Sequence, residues 1–138
     1  MTQTQAATRV ERWEARLKTV FDKIDAELEA IPYIRRKYSP HPNRPPHAAT
    51  SNPEDDGLFD IGASFTAGIG SEFGPGYVLA ARIATLADVP PAEQEELERY
   101  VVERLRAELP AAFPGAGLRV DRDGPVWKIH GDLSLGTL

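Results

Sequence analysis

The chain has 138 residues, 21 acidic and 16 basic side chains, a formal charge of −5 and no cysteine. That length suits one core able to bury roughly two-thirds of the unfolded surface, and the missing cysteine excludes disulfides and thiolate metal sites. The acidic balance argues against a nucleic-acid partner, no run approaches the roughly 20 apolar residues of a membrane span, and residues 1–10 lack the apolar stretch of a signal peptide, so a soluble cytoplasmic protein is expected.

Residues 1–7 are expected to be disordered, ahead of a long helix. Val10, Trp13, Leu17, Val20, Phe21, Ile24, Leu28 and Ile31 recur at steps of three and four, which lines one helical face. Thr8, with Glu11 three residues on, fits an N-cap, and Pro32 stops or kinks the helix. Residues 32–57 read as one long proline-rich loop, because the five prolines between Pro40 and Pro53 suit neither a helix nor a central strand. A connection of that length in a small protein is uncommon without a function.

Two strands follow. In LFDIGASF, Phe59, Ile61, Ala63 and Phe65 alternate with Asp60, Gly62 and Ser64; in GYVLAARIATL, residues 76–86, Tyr77, Leu79, Ala81 and Ile83 alternate with Val78, Ala80, Arg82 and Ala84. The glycine-rich TAGIGSEFGPG between them makes the hairpin connection. A second helix starts near Pro90-Pro91, carries Leu97, Tyr100, Val101, Leu105 and Leu109 as its apolar stripe, and is bounded by Pro110 and Pro114. LRV, a DRDG turn and VWKIHGDL then form a second hairpin, in which Trp127, Ile129 and Leu133 alternate with Lys128, His130 and Asp132.

The order helix-β-β-helix-β-β predicts a single α+β domain over residues 1–138. It has a mostly antiparallel four-stranded sheet and both helices on one face. Asp60, Ser64, Arg82, Lys128, His130 and Asp132 then fall on the opposite, polar face.

Two stretches invite a chemical reading. His130-Gly131-Asp132 resembles the opening of the catalytic loop in aminoglycoside-type phosphotransferases, and GIGSEFGPGYVLAARI resembles a kinase glycine-rich loop followed by a strand. The resemblance implies that Asp132 accepts a hydroxyl proton and that an asparagine five positions later holds a metal ion. That later position is Thr137, the strand lysine is replaced by Ala81-Arg82-Ile83, and no D-F-G follows. The residues therefore read as a hairpin turn and a strand on a polar face, and no Mg-ATP binding or other cofactor is expected.

His41 and His47 share the proline-rich loop with Asp55 and Asp56, at no spacing known for a metal site, so no metal is expected. Asp121 and Asp123 read as turn residues, favoured there for backbone reasons. The Arg35-Arg36-Lys37 patch lacks the interleaved aromatics of a nucleic-acid surface. No G-x-S-x-G nucleophile elbow occurs.

The leading expectation is a non-catalytic binding or assembly module, a homo-oligomer, using its sheet or its proline-rich loop. The alternative is a small enzyme or binder acting on an anionic carboxylate or phosphate compound, between the 40–57 loop and the 126–133 strand. Its ligand-binding candidates are His41, Asn43, Arg44, His47, Ser71, Arg82, Lys128, His130 and Asp132.

Overall fold

The computed structural model describes residues 8–37, 58–83 and 89–133, without the side chains of 35–37. The readings placed on residues 1–7 and 38–57 lie outside the described residues.

Helix α1 runs Arg9–Glu29. Its first turn is closed by a capping box: Glu11 N–H donates to Thr8 Oγ1 at 3.0 Å, and Thr8 N–H donates to the Glu11 carboxylate at 2.9 Å. Trp13, Leu17, Val20, Phe21, Ile24 and Leu28 form the buried stripe, whereas Val10, which the spacing adds to it, is half exposed. Pro32 does not open a loop. It is the first residue of a short helix, α2, Pro32–Lys37, where its missing N–H costs nothing.

Strands β1 (Phe59–Thr66) and β2 (Gly76–Ile83) pair antiparallel along their whole lengths, from Phe59 opposite Ile83 to Thr66 opposite Gly76. Helix α3 spans Pro91–Ala112. It continues through Pro110 and ends between Pro110 and Pro114, as expected, because a proline in the last turn breaks a single helical bond. Phe113, buried beyond it, closes the end by donating to Leu109 O at 2.8 Å. Strands β3 (Arg119–Asp123) and β4 (Val126–His130) are joined by a two-residue turn at Gly124-Pro125. Gly124 has φ +63°, the turn spans Asp123 to Val126, two residues later than the expected DRDG, and Asp121 and Asp123 belong to the strand.

The sheet order is β1-β2-β4-β3, antiparallel throughout. Helices α1 and α3 cover one face. Trp13 joins the layers there, with ring centroids 4.9 Å from Tyr77 and 4.6 Å from Phe113. One contiguous core results, from Trp13 and Ile24 through Phe59 and Val101 to Val120 and Ile129. On the solvent side of the helix pair, Arg104 bonds Glu27 at 3.0 Å and Glu108 at 2.6 Å, and Lys23 bonds Glu108 at 3.0 Å. The uncovered face carries Asp60, Gly62 and Ser64 of β1, Val78, Ala80 and Arg82 of β2, and Asp121, Asp123, Lys128 and His130 of β3 and β4, as the registers require.

Candidate functional site

Two places on this frame concentrate polar side chains. The first lies on the uncovered face, where the β1–β2 connection folds over β4. Lys128, opposite Val78 and Asp121 in register, should point to solvent, yet it is 1% exposed. The connection covers it. Its ammonium donates to Ser71 Oγ at 3.1 Å, to Asp123 Oδ2 at 3.3 Å and to the Gly74 carbonyl. Those three acceptors match the three donors of an ammonium, which is what makes a buried lysine tolerable. Ser71 donates its own proton to Asp123 Oδ2 at 2.7 Å and accepts the Phe73 N–H at 3.1 Å. The Ser71 hydroxyl, and after it Lys128, hold the Asp123 carboxyl below its ordinary range. Beside this knot, His130 Nε2 lies 2.8 Å from Asp121 Oδ2, and Phe73 packs on the imidazole with centroids 4.5 Å apart.

The glycines in this connection answer to backbone geometry. Gly68 has φ +72°, and a Cβ there would strike the Gly74 carbonyl. Four of the connection's amides are occupied internally, that of Phe73 by Ser71 Oγ. Gly68 N–H bonds Thr66 Oγ1, Ser71 N–H bonds Gly68 O, and Gly74 N–H bonds Ser71 O. The cup that a phosphate loop would offer to an anion holds a cation instead. Gly131, the middle of the His-Gly-Asp triplet, has φ +138°, and a Cβ on it would press on Gly117 O. Strand β4 ends there, so Asp132 leaves the sheet, and its N–H donates to Ala116 O at 3.1 Å.

The structure thus brings Ser71, Lys128 and His130 together. Arg82 stands apart, four residues along β2 from Val78 or about 13 Å, with Asp60 at 4.0 Å and most of its side chain exposed. Asp132 is beyond the strand, and His41, Asn43, Arg44 and His47 lie outside the described residues. Sequence reasoning missed Asp121, Asp123 and Phe73. A signal for the first two was present: the two-residue steps Asp121 to Asp123 and Lys128 to His130 put all four on one face once the hairpin closes.

The second place is a groove of about 920 Å³ along the outer edge of β1. One wall is the α1 row Glu14, Leu17, Lys18, Phe21, Asp22 and Asp25, at helical spacing, and the floor is β1 from Phe59 to Phe65. Tyr77 closes one end, its hydroxyl donating to Glu14 at 2.8 Å; burial and that neighbouring carboxylate push the phenol well above its usual range. Four carboxylates (Glu14, Asp22, Asp25, Asp60) and two cations (Lys18, Arg82) line the groove, with Lys18 bonded to Asp22 at 3.2 Å. Because β1 has a neighbour on one side only among the described residues, alternate N–H and C=O groups along it face this groove. Among the described residues no group of three or more His, Asp and Glu is placed to hold a metal ion, and no helix is long and apolar enough to cross a membrane.

A family model described as "Uncharacterised protein" matches residues 8–131, from the N-cap of α1 to the glycine that ends β4. A protein of Borreliella burgdorferi, described as "Uncharacterized protein", is 38% identical over 94 residues, covering 68% of this chain and 73% of that protein. No solved structure matches the chain.

Proposed function

The chain belongs to the family of uncharacterised proteins whose model spans this α-β-β-α-β-β unit, and on that premise we propose that it is a non-catalytic binding and assembly module that works by strand addition. An extended polypeptide segment pairs with the outer edge of β1 and lies in the groove beside α1. The observation that carries this reading is the groove itself. It follows an eight-residue edge strand, about 26 Å of backbone, with a helix wall on one side and the uncovered sheet face on the other. Recognition of this kind takes affinity from main-chain hydrogen bonds and selectivity from alternate side chains. The protein acts in the cytoplasm and as a homo-oligomer on this reading.

The polar knot under the β1–β2 connection supports a holding role. Ser71 Oγ gives its proton to a carboxylate and accepts from an ammonium and an amide, which is not the arrangement of an activated nucleophile. A small anionic ligand draws little support from the glycine turn, where the amides of Gly68, Ser71, Phe73 and Gly74 are bonded internally.

The reading is tested by selecting binders from a displayed library of random linear peptides, then mapping amide hydrogen exchange with and without the selected peptide. Protection of β1 amides, with those of β3 unchanged, is the expected result. Selected peptides that protect only the 67–75 connection or the β3–β4 hairpin would remove the strand-addition reading.

A further inference from the structure

We infer that the segment received by the β1 groove is β1 of a second copy of this chain. The two strands run antiparallel about a two-fold axis at Gly62, joining two four-stranded sheets into one of eight strands. This rests on the strand-addition reading and names its partner.

Gly62 is the first reason. It lies mid-strand with an ordinary φ, and among the described residues nothing stands within 4 Å of the place a Cβ would occupy. No described neighbour therefore calls for glycine there, and glycine weakens a strand interior. A strand glycine often marks the approach of another backbone. With the axis on residue 62, the two glycines face each other.

The second reason is that the edge complements itself. The axis sets Phe59 opposite Phe65, Asp60 opposite Ser64 and Ile61 opposite Ala63, each pair twice. Apolar side chains meet on the helix side, and the strand's single charge meets a hydroxyl on the other. Phe65, 58% exposed in one copy, gains a cover. Strand β1 carries neither lysine nor proline, the usual guards of an edge strand.

The third reason is the helix wall. Glu14 is level with the Phe65 end of β1, through Tyr77, the register partner of Phe65. Glu29 is level with the other end, since it accepts the Leu58 N–H at 2.9 Å. An axis at Gly62 then crosses α1 near Val20 and brings Lys18 level with Asp22 of the second copy, so opposite charges face each other.

Light scattering across a concentration series tests this on the full chain. The wild type is expected to be dimeric. Gly62→Lys, for which the described residues leave room, sets two ammonium groups directly opposite each other at the axis and is expected to shift the chain toward monomer. Ser64→Asp places a carboxylate opposite Asp60 twice per dimer and is expected to weaken association about threefold to tenfold, whereas Ser64→Lys strengthens it by a similar factor. Among the described residues Ser64 is exposed and paired only in the ladder, so the opposite signs decide the matter even if Gly62→Lys fails to fold. A monomer at every concentration, or a dimer indifferent to both Ser64 changes, overturns the second copy as partner. If the monomer still binds selected peptides along β1, strand addition stands with another partner; if those peptides bind elsewhere, both readings fall.

Discussion

Lys128 is the residue whose environment departs furthest from what its neighbours in sequence imply. An exposed lysine on a polar face would be replaceable, but this one is enclosed, and its three acceptors come from two separate segments, the β1–β2 connection (Ser71, Gly74) and β3 (Asp123). Lys128→Met keeps the stem and removes the donors, leaving the Gly74 carbonyl and the Asp123 carboxylate without them. The expected loss is about 1–3 kcal/mol in urea denaturation. Arg82→Ala, at an exposed ion pair, is expected to change stability by less than about 0.5 kcal/mol. Asp123 adds a pH signature. Its carboxyl is held low in the folded protein by the Ser71 hydroxyl and then by Lys128. A depressed carboxyl contributes stability that is fully present above its unfolded value, about 3.9, and that is lost as pH falls through the folded one. Asp123→Asn is therefore expected to be less stable than wild type at neutral pH and to show a shallower loss below about pH 4. Parallel acid limbs in the two proteins would refute the assignment.

Among the elements, α1 concentrates the most information. Its capping box and apolar spacing specify the start and the buried face, and Trp13 carries that face to both β2 and the end of α3. Thr8→Ala is expected to cost about 0.5–2 kcal/mol by removing the cap. Trp13→Ala, which empties a site shared by three elements, is expected to cost about 3–5 kcal/mol. A loss below about 1 kcal/mol in the second case would place Trp13 at the surface and refute the packing. The two hairpins differ in what their turns do. Gly124 supplies a left-handed φ that lets a two-residue turn close β3 on β4. The β1–β2 connection is a cover, built to put Ser71 and Gly74 around Lys128 and Phe73 on His130. It also presents Ile69, 96% exposed, so Ile69→Ser is expected to leave stability within about 0.5 kcal/mol of wild type.

At the scale of the molecule, one core joins α1, α3 and the four strands, so unfolding is expected to be a single transition. The two tryptophans allow a check. Trp13 sits at the centre of the aromatic stack, while Trp127 lies under the guanidinium groups of Arg122 and Arg106, at 5.1 and 5.8 Å. Fluorescence from Trp13→Phe reports the region around Trp127, and Trp127→Phe reports the region around Trp13. After each variant's own shift in midpoint is allowed for, each fluorescence curve should coincide with that variant's circular-dichroism curve. A fluorescence transition that precedes the loss of helix in either variant would mean that part of the sheet opens independently.

What the amino-acid order determined alone is the succession of elements and the face each one buries. Steps of three and four in α1, and of two in β1, β2 and β4, are local properties, and burial follows them at Trp13, Leu17, Phe59 and Ile129. Local patterning also placed Lys128 and His130 on one side of the sheet, whereas Ser71 sits in a turn that carries no such periodicity. Only the tertiary structure decided the rest. It made β4, not β3, the neighbour of β2, and it set α1 beside β1 so that a groove follows that strand. It buried Lys128 beneath a connection whose Ser71 and Gly74 lie 57 and 54 residues earlier in the chain and gave it Asp123, which reads from the sequence as a turn residue. Periodicity says which way a side chain points, whereas a partner brought near by chain closure leaves no mark on the residues between them.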